Sequence, residues 1–167
     1  GEAEVSAYLA IIHDQGSAAL ASAGSRADEV LAAMDLIATV LNRNQIEIRP
    51  TDPDAPEALE CVGAYFNELA MRVDGFGTEA FTLPDPGAAS YRPPQGCFLV
   101  AWSDELPVAC GSLRPIGAAT AEVKRVWVHP AARGQGLARR MMSAIESEAR
   151  TSGYSRLQLD TNSALTE

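Results

Sequence analysis

Residues 126–138 read Val-Trp-Val-His-Pro-Ala-Ala-Arg-Gly-Gln-Gly-Leu-Ala, and few folds can hold that order. Two valines around a tryptophan form the end of a strand. A proline and two glycines then turn the chain. Leu137, Met141, Ile145 and Ala149 follow at helical spacing, and Gly153 is placed to stop the helix. A helix entered this way presents its first backbone N–H groups without partners and aimed at one point. The helix dipole adds positive potential there. Such a place binds phosphate. A side chain at 134 or 136 would hold a pyrophosphate away from the amides, which is a reason for glycine at both. Arg133, Arg139 and Arg140 add charge.

The surrounding pattern is that of an α/β domain with a mixed sheet. Ile46 and Ile48 alternate in a short strand, and Thr51-Asp52-Pro53-Asp54 is a turn and helix start. Leu59, Val62, Phe66, Leu69, Ala70 and Val73 are spaced for a helix. Residues 74–96 are irregular and rich in proline and glycine, the kind of long loop that covers a site. CFLVAWS and PVACGSLRPI flank a turn at residues 103–106 and predict a β-hairpin. AEVKRVWV is the next strand, and SRLQLDT follows the helix as another. Residues 1–44 predict two helices. Val5, Leu9 and Ile12 give the first a weak apolar face. Ser25 with Asp28 caps the second, which carries Val30, Leu31, Met34, Ile37, Ala38 and Leu41. A face that apolar needs a cover, either the main domain or a partner copy in a homodimer. At 167 residues the chain therefore reads as a helical extension, 1–44, ahead of one domain, 45–167.

Charge narrows the function. The chain carries a net charge of −9, a poor match for nucleic acid or an anionic membrane. Residues 114–156 are the exception, with eight basic and three acidic residues, and they contain the glycine turn. Residues 45–113 hold three basic and eleven acidic residues, a half suited to a cationic partner. Glu68, Asp74, Glu79 and Asp85 are candidates for that acidic field. Cys61, Cys97 and Cys110 are an odd number without CxxC spacing, and His13 lies far from His129. No metal site is expected, and the thiols read as reduced in a cytoplasmic core. No apolar run approaches the roughly 18 residues of a membrane span. The acidic N-terminus lacks the basic region of a secretory signal.

Three phosphate-binding patterns compete for the glycine turn. A P-loop requires Lys-Ser or Lys-Thr after the glycines, which is absent. A dinucleotide fingerprint counted from Gly134 and Gly136 requires glycine or alanine at 139, where Arg139 stands. Arg133-x-x-Gly136-x-Ala138 after a Val-x-Val strand does fit a third pattern. It resembles the coenzyme A signature of the GNAT superfamily of N-acetyltransferases. The resemblance covers roughly residues 46–167 and is most specific at AEVKRVWVHPAARGQGLARR and LQLDTNSALTE.

The resemblance implies a mostly antiparallel mixed sheet flanked by helices, with acetyl-CoA as cosubstrate. Val126, Trp127 and Val128 would bond the pantetheine arm through their backbone. The amides of Gly134, Gln135, Gly136, Leu137 and Ala138 would cradle the pyrophosphate, with Arg133 alongside. Arg139 would reach a phosphate or lie in solvent. Asn162 matches a cofactor-side asparagine, or caps a helix. Acetyl would pass directly to a primary amine of a small molecule or protein, and an ammonium group must first lose its proton to a base. Glu122 is the candidate base, or else a strand carboxylate paired with Lys124 or Arg125. By strand alternation it shares a face with Lys124, Val126 and Val128. Backbone N–H near Val126 would stabilise the developing oxyanion. Tyr91, Arg92 and the prolines after them would line the acceptor mouth, or form a rigid turn.

Two features depart from the family. Its next helix, which commonly carries a tyrosine acid, and two further strands have no counterpart before Glu167, and Tyr154 is no substitute. A C-terminally incomplete polypeptide is therefore expected. SRADEVLAAMDLIATVL is also weakly similar to the last helix of MarR-type regulators, but no DNA-reading helix accompanies it. An acyl-CoA sensor without turnover stands beside the enzyme as the alternative function.

Overall fold

A computed structural model describes residues 46–77, 81–103 and 105–161, with scattered positions between 18 and 33. The chain divides into two compact units, Gly1–Leu41 and Asn42–Glu167. Of the first, a 3-10 turn at Gly24–Arg26 is described, with Arg26 paired to Glu29 at 2.8 Å. The two helices expected across residues 1–44, and the chain from Asn162 on, otherwise fall outside the described residues.

The second unit is built on a five-stranded sheet. Strand β1 is Glu47–Pro50, β2 Cys97–Ser103, β3 Leu106–Pro115, β4 Thr120–Val128 and β5 Arg156–Leu159. They lie side by side in chain order. The first four are antiparallel, and β5 runs parallel to β4. Helix α1, Pro56–Arg72, follows β1, and helix α2, Leu137–Thr151, joins β4 to β5. The expected mixed and mostly antiparallel sheet is present, including the hairpin closed by Ser103 and Leu106.

Each face of the sheet takes one helix, for reasons legible in the chain. α2 buries Leu137, Met141, Ile145 and Ala149, one residue per turn, against Ala109, Leu113, Ala121, Val123 and Val128. Gly111 allows the approach: a Cβ there would lie 2.7 Å from the Ile145 Cδ1. α1 starts at Pro56, whose missing N–H costs nothing in a first turn. It buries Ala58, Cys61, Val62, Phe66 and Leu69 against Phe98, Val100, Cys110 and Trp127.

The proline-rich segment after α1 folds back on that face. Phe81 stacks on Phe66 with centroids 3.9 Å apart, and Tyr91 is buried against Phe98. Arg92 ties the segment to the approach to α1, bonding Asp52 at 2.7 Å and Asp54 at 2.6 Å. That pairing lowers the Asp52 carboxyl to about 2. Tyr91 and Arg92 therefore hold the loop down. Among the described residues no helix is long and apolar enough to cross a membrane.

Candidate active site

Strand β4 carries an irregularity that the sequence does not announce. Cys110 faces Trp127 and Ser112 faces Lys124, so Arg125 and Val126 together oppose the single residue Gly111. This is a β-bulge. Arg125 adopts φ 57, the left-handed region. The extra residue overturns the alternation expected for the strand. Val126 and Val128 pack toward α2 with Ala121 and Val123, whereas Trp127 belongs to the α1 side. Glu122 and Lys124 thus share a face with Trp127, not with Val126 and Val128.

The bulge also divides β4 by its neighbours. Thr120 to Val123 pair with Arg156 to Leu159 of β5. Residues 126–128 pair with β3 alone among the described strands. The His129 N–H donates to the Val108 carbonyl at 2.9 Å. Antiparallel alternation then turns the Val126 C=O and the Val128 N–H and C=O away from β3. The Val128 carbonyl accepts from Arg133 Nε at 2.9 Å. A strand edge is thus presented to one side of the sheet.

The glycine turn stands at the end of that edge. His129 caps a short 3-10 turn, Pro130–Ala132, its Nδ1 accepting from the Ala131 N–H at 3.2 Å. Burial, then the charge of Arg133, pulls the imidazole below its ordinary 6.5, which keeps the ring neutral for this cap. Gly134 and Gly136 have φ 72 and 78, and a Cβ on either would meet nothing within 4 Å. Both are therefore chosen for conformation, with open space before them. The Arg140 N–H makes the first helical bond, to the Gly136 carbonyl. The amides of Leu137, Ala138 and Arg139 precede it and have no acceptor in the helix.

Edge, turn and helix start border a cleft of about 310 Å³, closed on its far side by Tyr65, Glu68, Leu69 and Arg72 of α1. Val126, Trp127, Val128, Arg133, Gly134, Gly136, Leu137 and Ala138 all line it. Gln135 does not: its Nε2 donates back to the Ala131 carbonyl at 3.3 Å. Arg139 is exposed outside the lining, and Asn162 lies outside the described residues. Glu68 ties the walls together. Its Oε2 accepts from Trp127 Nε1 at 3.0 Å and from Arg133 Nη2 at 2.5 Å, and its Oε1 pairs with Arg72 at 3.0 Å.

Glu122 is buried on the α1 side of β4, before the bulge. Arg114 on β3 reaches its Oε2 at 2.6 Å, and Lys124 its Oε1 at 3.0 Å. Burial pushes this carboxyl up, but the bonds from Lys124 and Arg114 outweigh it and hold it below 4.5. Glu122 is ionised at neutral pH, with Arg114 and Lys124 as its partners rather than Arg125. Two of the four carboxylates expected in the acidic field are taken up by ion pairs inside the domain. Glu68 is paired as above, and Asp85 meets Arg125 at 2.8 Å. Asp74 is exposed, and Glu79 is outside the described residues. No cluster of three or more metal-ligating side chains occurs among the described residues.

Tyr65, Glu68, Leu69 and Arg72 sit at helical spacing on one stripe of α1 and form the cleft wall; the sequence pattern marks Leu69 for the core and Glu68 for an acidic field, but none of the four for this wall. Arg125 offered no signal, since nothing local marks an arginine for a left-handed bulge.

Residues 64–166 match the model of the acetyltransferase (GNAT) family. Over 65 residues the chain is 43% identical to an IAA acetyltransferase of Azospirillum brasilense, a match spanning 38% of this chain and 42% of that protein. This chain is therefore aligned with less than half of the curated relative. Among solved structures, an acetyltransferase from Streptococcus agalactiae 2603 superposes with a TM-score of 0.58 at 24% identity, covering 71% of this chain and 74% of that one. An acetyltransferase of GNAT family from Staphylococcus aureus Mu50 gives 0.57 at 14% identity over the same shares. At these identities the structures speak for the fold.

Proposed function

We propose a function from one premise: the chain belongs to the acetyltransferase (GNAT) family. The function is transfer of an acetyl group from acetyl-CoA to a primary amine by direct attack: a C–N bond would form, the thioester C–S bond would break, and CoA would leave as its thiolate. The observation that carries it is the cleft in which a free strand edge meets a left-handed glycine turn and the start of α2. These residues fit acetyl-CoA. The open space before Gly134 and Gly136 and the unpaired amides of Leu137 and Ala138 suit a pyrophosphate. The edge at Val126–Val128 suits an arm bearing amide groups, taken up as an added strand. When bound, acetyl-CoA supplies the acetyl group as an activated thioester.

The chain's own work is then to orient and to manage a proton. Arg133, already at the cleft wall, contributes positive charge beside the phosphate position. A backbone N–H near Val126 would donate to the thioester oxygen, where charge builds as the amine attacks. Glu122 would accept the ammonium proton, directly or through one water. It is ionised at neutral pH and so able to take the proton, while its cation partners make it a weaker base than an unpaired carboxylate. The acceptor in this reading is a small-molecule or protein amine, cationic before it gives up its proton. One observation favours the sensor alternative: both Glu122 oxygens are already engaged by cations.

Calorimetry with acetyl-CoA tests the reading, on this chain and on Gly134→Val with Gly136→Val. Valine is strained at both positive φ values and fills the space before the amides. Binding by the parent and its loss in a folded double variant is the expected result. Equal binding by both proteins would remove the turn from the cofactor site. An amine screen with the parent then separates enzyme from sensor.

A further inference from the structure

Arg125 is the one non-glycine residue with positive φ among the described residues. That conformation is costly for a residue with a Cβ and persists only where the surroundings impose it. Here the side chain is held from two directions. Its Nη2 donates to Asp85 Oδ2 at 2.8 Å, with both side chains about four-fifths buried. Its guanidinium lies 4.5 Å from the Phe66 ring centroid and 5.8 Å from that of Tyr65. Asp85 is fixed in turn, its Oδ1 accepting from the Gly87 N–H at 2.8 Å. Phe66 is stacked on Phe81. On the strand itself, the Arg125 carbonyl accepts from Cys110 Sγ at 3.1 Å.

Among the described strands, the bulge is where β4 changes from a strand paired on both edges to one paired on a single edge. A side chain that locks the bulge therefore sets the direction of that edge. We propose that Arg125 is a positioning residue: anchored by Asp85 and Phe66, it holds the Val126–Val128 edge in the orientation that takes the pantetheine arm. It touches no reacting atom. Through Asp85 it also makes the edge depend on the loop that follows α1. This rests on the reading of the cleft as the acetyl-CoA site.

The test separates the two halves of the cofactor. The arm needs the strand edge, whereas the nucleotide needs the glycine turn and the start of α2. Calorimetry is run with acetyl-CoA and with ribose-phosphorylated ADP, the cofactor without its arm. The proteins are wild type, Arg125→Gly, Arg125→Lys and Asp85→Asn. Glycine accepts the backbone conformation and removes only the anchor. Arg125→Gly and Asp85→Asn are expected to weaken acetyl-CoA about tenfold, the scale of one lost charged hydrogen bond, and to leave the nucleotide within about twofold. Arg125→Lys keeps the charge without the planar fork and falls between.

Unchanged affinity for both ligands in the variants would overturn the proposal. So would an equal loss of both, which is what a merely structural role produces. If Arg125→Gly does not fold, Asp85→Asn decides, because it leaves the bulge residue in place. A wild type that binds neither ligand would instead overturn the cofactor reading itself, and this inference with it.

Discussion

The two halves of β4 are one continuous strand, yet they differ in kind. Thr120 to Val123 is flanked by strands on both sides, and Ala121 and Val123 are sealed against α2. Residues 126–128 have one neighbouring strand among the described residues and border the cleft. The change takes place at a single extra residue. Buried backbone groups must be paired, so a strand can offer a free edge only where water or a ligand reaches it. Sheet interior and binding edge are thus made from the same hydrophobic pattern, and the bulge decides which is which. The faces of the strand differ as well. One carries the apolar core toward α2, and the other carries Glu122, Lys124, Arg125 and Trp127.

Substitutions on opposite faces should have opposite signatures. Glu122→Gln is expected to reduce amine acetylation by about 10²- to 10⁴-fold, the usual weight of a general base. Acetyl-CoA affinity should stay within about twofold, because Glu122 is outside the cleft lining. Steady-state kinetics beside calorimetry reads both. An equal loss of binding and turnover would make Glu122 a structural anchor for Arg114 and Lys124. Leu113→Ala strikes the other face, where Leu113 is fully buried opposite Val123. It should cost about 2–5 kcal/mol in urea unfolding, with cofactor affinity of the folded fraction unchanged. Weakened binding without lost stability would break the division between the faces.

Legibility in the sequence followed the same division. The turn and α2 could be read locally, because hydrophobic spacing passes from two to four residues across Arg133–Gly136. The β2–β3 hairpin and the strands after it could be read from alternation and turn residues, but their order in the sheet could not. The bulge could not be read: Arg125 sits among β-formers, and the residue that permits the close packing, Gly111, lies on another strand. The Asp85–Arg125 tie joins positions 40 residues apart, one of them in a segment with no periodicity. Tyr65, Glu68, Leu69 and Arg72 are spaced for one helical stripe but mixed in polarity, so nothing in the sequence joins the core residue Leu69 and the acidic Glu68 into one cleft wall. The acidic surplus of residues 45–113 is plain in the sequence, but composition does not tell which carboxylates are paired.

Acid should act on the α1 side first. Asp85 is held below its ordinary 3.8: burial raises it, but the bonds from Arg125 and the Gly87 N–H prevail. Glu122 is held below 4.5 by its own cations. A carboxyl depressed on folding stabilises above its unfolded value, and that contribution is lost as pH falls through the folded value. Urea midpoints should therefore decline as pH falls below about 4. Asp85→Asn should be less stable than wild type at neutral pH and show a shallower decline. The same slope in variant and wild type would mean that the pair contributes nothing to acid sensitivity.

The smallest effect expected is at Arg139. It stands in the first turn of α2, one residue beyond the cleft lining, and is exposed. An exposed charge near a bound anion is worth about 0.3–1 kcal/mol at low ionic strength, as for charges beside a helix end. Arg139→Ala should then weaken acetyl-CoA by no more than about fivefold at low salt. Near physiological salt the difference should shrink toward nothing, since the Debye length there is about 8 Å. Isotherms at two salt concentrations test this. A tenfold loss that survives the higher salt would mean a direct contact with phosphate. The site would then extend along the exposed side of α2, beyond the edge and turn that the bulge lays open.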